Sequence, residues 1–275
     1  MNIKSLLMPL EEYPKQRLPD EHIYTIKTSD GRELYYFGVT HYRDPSNPIF
    51  SQIKTEFGKF NPDIVFVEGN NSLRTENRNR VIAKFKELEG DELIHLYGES
   101  GFLARLASEK GVYVDSPEPA LGDQLQRYFK EGFTKDEIFT FYMIRFIQQR
   151  LRVPEPRPSV EKFALNKLKE LERETGWSDF DFSITHLIQI GKEIWGEEFN
   201  IDGNNLGSLI HANPDESTGY KKTIINKIAR VTTEFRDEYM VGEIINTLQK
   251  YRRLFVVYGF SHAIIQEPAL RELLK

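Results

Sequence analysis

Two histidines in this 275-residue chain share one short context, Gly38-Val39-Thr40-His41 and Gly259-Phe260-Ser261-His262, although more than two hundred positions separate them. Each follows a run of β-branched and aromatic residues. Glu68 follows a third such run, Asp63-Ile-Val-Phe-Val, and Glu118 lies just after a fourth, Val112-Tyr-Val-Asp115. Imidazole and carboxylate are the usual nitrogen and oxygen ligands of a divalent cation with an open coordination position. A carboxylate leaving a buried strand, as Glu68 does, must be paired, metal-bound or shifted in pKa. Glu99, in Tyr97-Gly98-Glu99-Ser100, is a further candidate carboxylate at a helix start, and Asn70, just after the Glu68 strand, is a possible site residue. Arg236 shares a helical face with Met240 and Glu243 by its spacing and is the candidate anion clamp.

Other chemistries find less support. There is no cysteine, so disulfides, thiolate metal sites and cysteine nucleophiles are excluded. No His-Glu-x-x-His is present, which excludes the helix-borne zinc protease site. Gly259-Phe-Ser261-His-Ala263 has the form of a serine nucleophile elbow, but that arrangement needs an acid and a histidine after the serine, and no histidine follows Ala263. Ser261 is better read as a turn or hydrogen-bonding residue. Asp202-Gly-Asn-Asn resembles part of a calcium loop without the glycine at its sixth position. His22, His95, His186 and His211 have no comparable context; His22 and His95 read as strand-like or loop residues without partners, and His186 sits on an amphipathic helix.

The elements that must carry these groups are legible as patterns. Residues 22–29 and 33–40 read as two strands joined at Asp30-Gly31, the strongest short hairpin signal. Residues 63–68, 112–115 and 254–258 read as short strands buried on both faces, with helices at about 48–60, 75–89 and 99–110 between them. That alternation predicts an α/β fold, a mainly parallel mixed sheet flanked by helices, with the leading hairpin at one edge. Residues 121–250 show no strand pattern. Helices are expected at about 134–152, 159–175, 181–195 and 221–251, with an extended proline-rich connector at Val153–Pro158 and a loop at 200–219. The expected organisation is a core domain from 1–120 and 221–275 with a helical insertion or cap at 121–220. In open sheets of this kind ligands bind beyond the carboxyl ends of the strands, where His41, Glu68, Glu118 and His262 fall.

Composition bounds the partners. Lys and Arg number 37 against 42 Asp and Glu, so the net charge is −5, which argues against a general nucleic-acid binder. No apolar stretch has the length of a membrane span, and the first residues carry too short an apolar run for a signal peptide, so a cytoplasmic location is expected. The residues set no oligomeric state.

Taken together, Phe37-Gly-Val-Thr-His41, Asp63-Ile-Val-Phe-Val-Glu68, Gly98-Glu99, Arg236 with Met240, and Val256-Val-Tyr-Gly-Phe-Ser-His262 resemble the TraB/PrgY/TIKI superfamily, whose wider relatives include erythromycin esterase and ChaN-like haem-binding proteins. The likeness covers about 33–118 and 222–274, and residues 121–220 match nothing specific. It implies a metal-dependent, proteinase-like hydrolase of a peptide or small-molecule substrate. His41, Glu68 and His262 would be its central residues and Arg236 its supporting cation. The chain departs from the pattern at Val39, where threonine is usual, and at Phe260-Ser261, where smaller residues are common; it also lacks the membrane helices of some relatives. On this reading His41 and His262 bind a divalent cation of unspecified identity with Glu68 as ligand or base, Glu99 or Glu118 is a second carboxylate or general base, and Arg236 stabilises an oxyanion. The alternatives are a non-enzymatic binder of haem, metal or a signalling peptide, and a metal-free esterase-like hydrolase with His41 or His262 as general base.

Overall fold

The structure, a computed structural model, describes residues 2–12, 21–69, 71–75, 77–151, 156–202, 206–212 and 222–275. Asn70, part of the proline-rich connector and much of the 200–219 loop lie outside the described residues. Two compact units emerge, Met1–Pro119 with Arg236–Lys275, and Ala120–Phe235.

The first unit is α/β. Strands β1 (Glu21–Lys27) and β2 (Glu33–Val39) form the expected hairpin, and α1 (Ile49–Phe60) leads to β3 (Ile64–Val67). Helices α2 (Arg78–Glu87) and α3 (Gly90–Glu109) lead to β4 (Tyr113–Asp115). The helix expected to begin at Glu99 starts nine residues earlier, but its backbone breaks at Gly98 (φ 57°), so Glu99 does open a new helical run. After the second unit the chain returns through the last part of α9 (Ile224–Leu248), then β5 (Arg253–Gly259) and α10 (Phe260–Leu273). The sheet order is β1-β2-β5-β3-β4, with β1 antiparallel at the edge and the other neighbours parallel.

Strand alternation divides the core in two. Phe37, Val39, Val65, Val67, Phe255 and Val257 face α1, α2 and α3 in one apolar cluster with Ile53, Phe57 and Leu103. Each such side chain taken fully out of water contributes ~1.5–3 kcal/mol, which makes the strand ends a firm base for a site. On the other face Tyr36 and Tyr258 are fully buried, and α10 packs across β1 and β2.

The second unit is helical. It comprises α4 (Leu121–Lys130), α5 (Lys135–Arg150), α6 (Val160–Thr175), α7 (Ile184–Trp195), α8 (Leu206–Leu209) and the first part of α9 (Ile224–Leu248). Seven successive residues of α5, Ile138 to Ile144, are buried, so it is the unit's central helix and its aromatic run is core. Thr134 closes a capping box on Glu137, and Ser159 and Ser183 cap α6 and α7, which sets those helix starts. The second domain boundary expected from the sequence pattern lies at 220/221, ahead of α9. The packing boundary falls inside that helix, at 235/236, because one uninterrupted helix serves both units in turn. Among the described residues no helix is long and apolar enough to cross a membrane.

Candidate functional site

Strand order brings the motif residues together. β5 lies between β2 and β3, all three parallel, so their carboxyl ends coincide; Val39 is level with Gly259, and Val67 with Val257. His41 therefore arrives from one side of Gly259 and Glu68 from the other, while His262 sits in the first turn of α10. The glycine of each motif has a packing reason. A Cβ on Gly38 would lie 2.5 Å from Ala263 Cβ and 2.8 Å from the His22 carbonyl oxygen, so the start of α10 can approach β2 only over a glycine. A Cβ on Gly259 would lie 3.3 Å from Glu68 Oε2, 3.4 Å from His41 Nε2 and 3.7 Å from His262 Cδ2, which makes its bare backbone the floor of the cluster.

Glu68 is the hub. Its Oε2 accepts from the Gly259 N–H at 2.7 Å and lies 3.6 Å from His41 Nε2. Its Oε1 accepts from Arg236 Nη2 at 3.2 Å and lies 3.7 Å from His262 Nε2. Burial opposes ionisation of Glu68, but His262, Arg236 and His41 outweigh it and hold the carboxyl well below the usual carboxylate range. Arg236 is committed on its other side: its Nε and Nη2 donate to Glu118 at 2.8 and 2.6 Å, a bidentate pair. Burial would lower its pKa, and Glu118 and Glu68 raise it instead. The expected anion clamp thus grips the protein's own carboxylates. Glu118 also accepts from the Gly69 N–H at 3.3 Å.

The two histidines differ in setting. The His41 side chain is 52% exposed, and its Nδ1 lies 3.5 Å from Oε2 of buried Glu99. Glu99 in turn accepts the Tyr42 N–H, and Arg43 Nη1 donates to the His95 carbonyl at 2.9 Å and to Leu96 O, near the end of the helical turns before Gly98. The chain either side of the break in α3 therefore anchors the loop bearing His41. His262 is buried, and its Nδ1 donates to Asp237 Oδ1 at 2.6 Å. Burial would lower its pKa, but Asp237 and then Glu68 hold it above the ordinary 6.5.

Glu68 and Glu118 share one guanidinium, while Glu99 faces His41 and Asp237 faces His262. Each imidazole faces two carboxylates, one at each ring nitrogen, whereas a neutral ring carries one N–H. With neutral rings, one nitrogen of each ring turns a lone pair toward a carboxylate. The cluster calls for further positive charge, supplied either by protonated rings or by a cation. Among the described residues no three His, Asp or Glu side chains form a ready-made metal cluster. The donor set of two imidazoles and a carboxylate nevertheless fits a divalent ion chemically, and the carboxylate behind His262 is the usual support for a metal-ligating ring.

Asp237 was absent from the sequence-derived site. A signal for it exists: Met240, Val241, Ile244 and Leu248 make a buried stripe on α9, and Asp237 extends that stripe by one turn. Ser261 is half-buried in the first turn of α10 and takes part in none of these contacts. The remaining histidines stand apart from the cluster or outside its unit. His22, expected to lack a partner, meets Glu267 at 2.6 Å, and His95 lies on α3, not in a strand or loop. His186 pairs with Asp136, and the His211 carbonyl accepts from Asn226. No family model matches the chain, and no curated protein matches it.

Proposed function

We propose that the strand-end cluster is the catalytic centre of a metal-dependent hydrolase of the TraB/TIKI kind, acting on a peptide or small-molecule substrate in the cytoplasm. The observation that carries this reading is the meeting of His41 and His262 on opposite oxygens of one carboxylate, Glu68. These three side chains would hold the ion. A divalent cation held there lowers the pKa of its water toward ~7 and polarises a scissile carbonyl.

The protein's own groups prepare that chemistry. Asp237 turns His262 so that Nε2 points at Glu68, and Glu99 does the same for His41 through Nδ1. The positive groups around Glu68 hold it ionised, which suits the role of ligand. Arg236 holds Glu68 and Glu118 at a shared position and so acts through the carboxylates it grips. Exposed His41 marks the edge from which substrate reaches the centre.

One observation supports a second reading. His41 is accessible and flanked by two carboxylates, the arrangement of a general base held for metal-free hydrolysis. Hydrolysis of fluorogenic peptides and nitrophenyl esters, measured with added Mn²⁺, Co²⁺ or Zn²⁺ and again with EDTA, separates the two. The metal reading predicts turnover that EDTA abolishes and that His41→Ala lowers at least a hundredfold without changing circular dichroism. Turnover that survives EDTA supports the general-base reading, and an active, metal-replete His41→Ala protein contradicts the metal reading.

A further inference from the structure

The contact of His262 with Asp237 is the first link of a longer chain of buried polar groups. Asp237 Oδ1 accepts two hydrogen bonds, from His262 Nδ1 and from Gln266 Nε2, both at 2.6 Å. Gln266 Oε1 then accepts from the Tyr36 hydroxyl at 3.0 Å. Asp237, Gln266 and Tyr36 have no solvent exposure, and they come from α9, α10 and β2 respectively. We propose that Asp237, braced by Gln266 and Tyr36, is a positioning residue that fixes both the orientation and the tautomer of His262.

The direction of every bond in the chain follows from its end. A carboxylate only accepts, so Gln266 must offer its amide N–H to Asp237 and keep its oxygen for Tyr36. Nδ1 lies 2.6 Å from Asp237 and Nε2 lies 3.7 Å from Glu68, so the shorter contact assigns the His262 proton to Nδ1, and in the neutral ring Nε2 presents a lone pair toward Glu68. Gln266 follows His262 by one helical turn, so one face of α10 delivers both partners to the same oxygen.

Support for a role beyond packing comes from the other carboxylate oxygen. Asp237 Oδ2 is buried and has no hydrogen-bond partner among the described residues. An unsatisfied buried acceptor is destabilising, and apolar residues of similar volume would fill such a place without that cost. A carboxylate kept at this expense, with one oxygen given over to an imidazole and its brace, is better explained by what it does to the imidazole.

The inference rests on the proposed site but is testable without it. Nitrogen-15 NMR of the histidine rings in the metal-free full chain is recorded at a pH where the His262 shifts no longer change. The expected spectrum shows His262 with its proton on Nδ1; a proton on Nε2 overturns the inference without any variant. Asp237→Leu should release the tautomer and weaken Co²⁺ binding ~10–100-fold, as loss of an outer partner does for metal-bound histidine, whereas Asp237→Asn, which keeps an accepting oxygen, should retain the Nδ1 proton. An Asp237→Leu protein with the parent's tautomer and the parent's Co²⁺ affinity overturns the inference. Should the parent bind no Co²⁺, the metal reading fails, and the ring spectra still decide the role of Asp237.

Discussion

The two units of the molecule each contain a histidine paired with an aspartate at nearly the same distance, and the pairs differ in everything else. In the sheet unit, His262 and Asp237 meet at 2.6 Å with side chains 9% and 0% exposed, inside a cluster of further carboxylates and a buried arginine. In the helical unit, His186 and Asp136 meet at 2.8 Å with side chains 20% and 45% exposed, beside Phe139 and Phe180. Asp136 stands in the first turn of α5, where water and the helix terminus both satisfy it. Asp237 has neither, so its charge is committed to the imidazole and the amide it holds. Contact distance therefore says little about what such a pair contributes; the desolvation of its members and the company they keep decide it.

The largest expected effect breaks the buried cluster outright. Arg236→Met leaves Glu68 and Glu118 buried without their guanidinium, and removing one partner from a buried ionic group costs ~3–5 kcal/mol. Chemical denaturation should show a loss of that size; one below ~1 kcal/mol would mean that the carboxylates reach solvent.

A pH series sharpens the contrast further. Glu68 has a folded-state pKa depressed below its ordinary 4.5, so its contribution is present above 4.5 and fades as acid approaches the folded value. His262 has a pKa raised above 6.5, so its contribution is complete below 6.5 and is lost as pH rises through the folded value. The metal-free protein should therefore lose stability as pH rises from 6.5, and the denaturation midpoint of His262→Gln should lack that alkaline fall. A parent midpoint that does not decline above 6.5 would show that Asp237 and Glu68 do not stabilise the imidazolium.

The smallest effect belongs to the exposed pair. Asp136→Asn should change unfolding free energy by less than ~1 kcal/mol, as exposed ion pairs do. A cost comparable to that of Arg236→Met would erase the distinction drawn between the two regions.

The sheet was legible in the sequence because its strands are short and almost wholly apolar, a pattern that only a sheet covered on both faces requires. Parallel strand order in turn brings His41, Glu68 and His262 to a common edge, which follows from the sequence pattern alone. Helix α4 is missing from the expected helices although Leu121, Leu125, Tyr128 and Phe129 recur at helical spacing, because it is a short run closed in between Pro119 and Gly132. Asp237 escaped for a different reason. It stands among charged neighbours, Arg236 and Glu238, and only the rotation of α9 against the sheet turns it inward while Glu243 faces Arg74. Gln266 and Tyr36 became visible only through their contacts, since neither residue type announces a polar chain when read along the sequence.

The claim on which the account depends is that His41, Glu68 and His262 serve one centre. Titration of the metal-free chain with Co²⁺, followed by visible absorption, tests it most directly. One ion per chain should bind, and His41→Ala and His262→Ala should each abolish the same absorption bands. Bands that persist unchanged in both variants would contradict the shared centre.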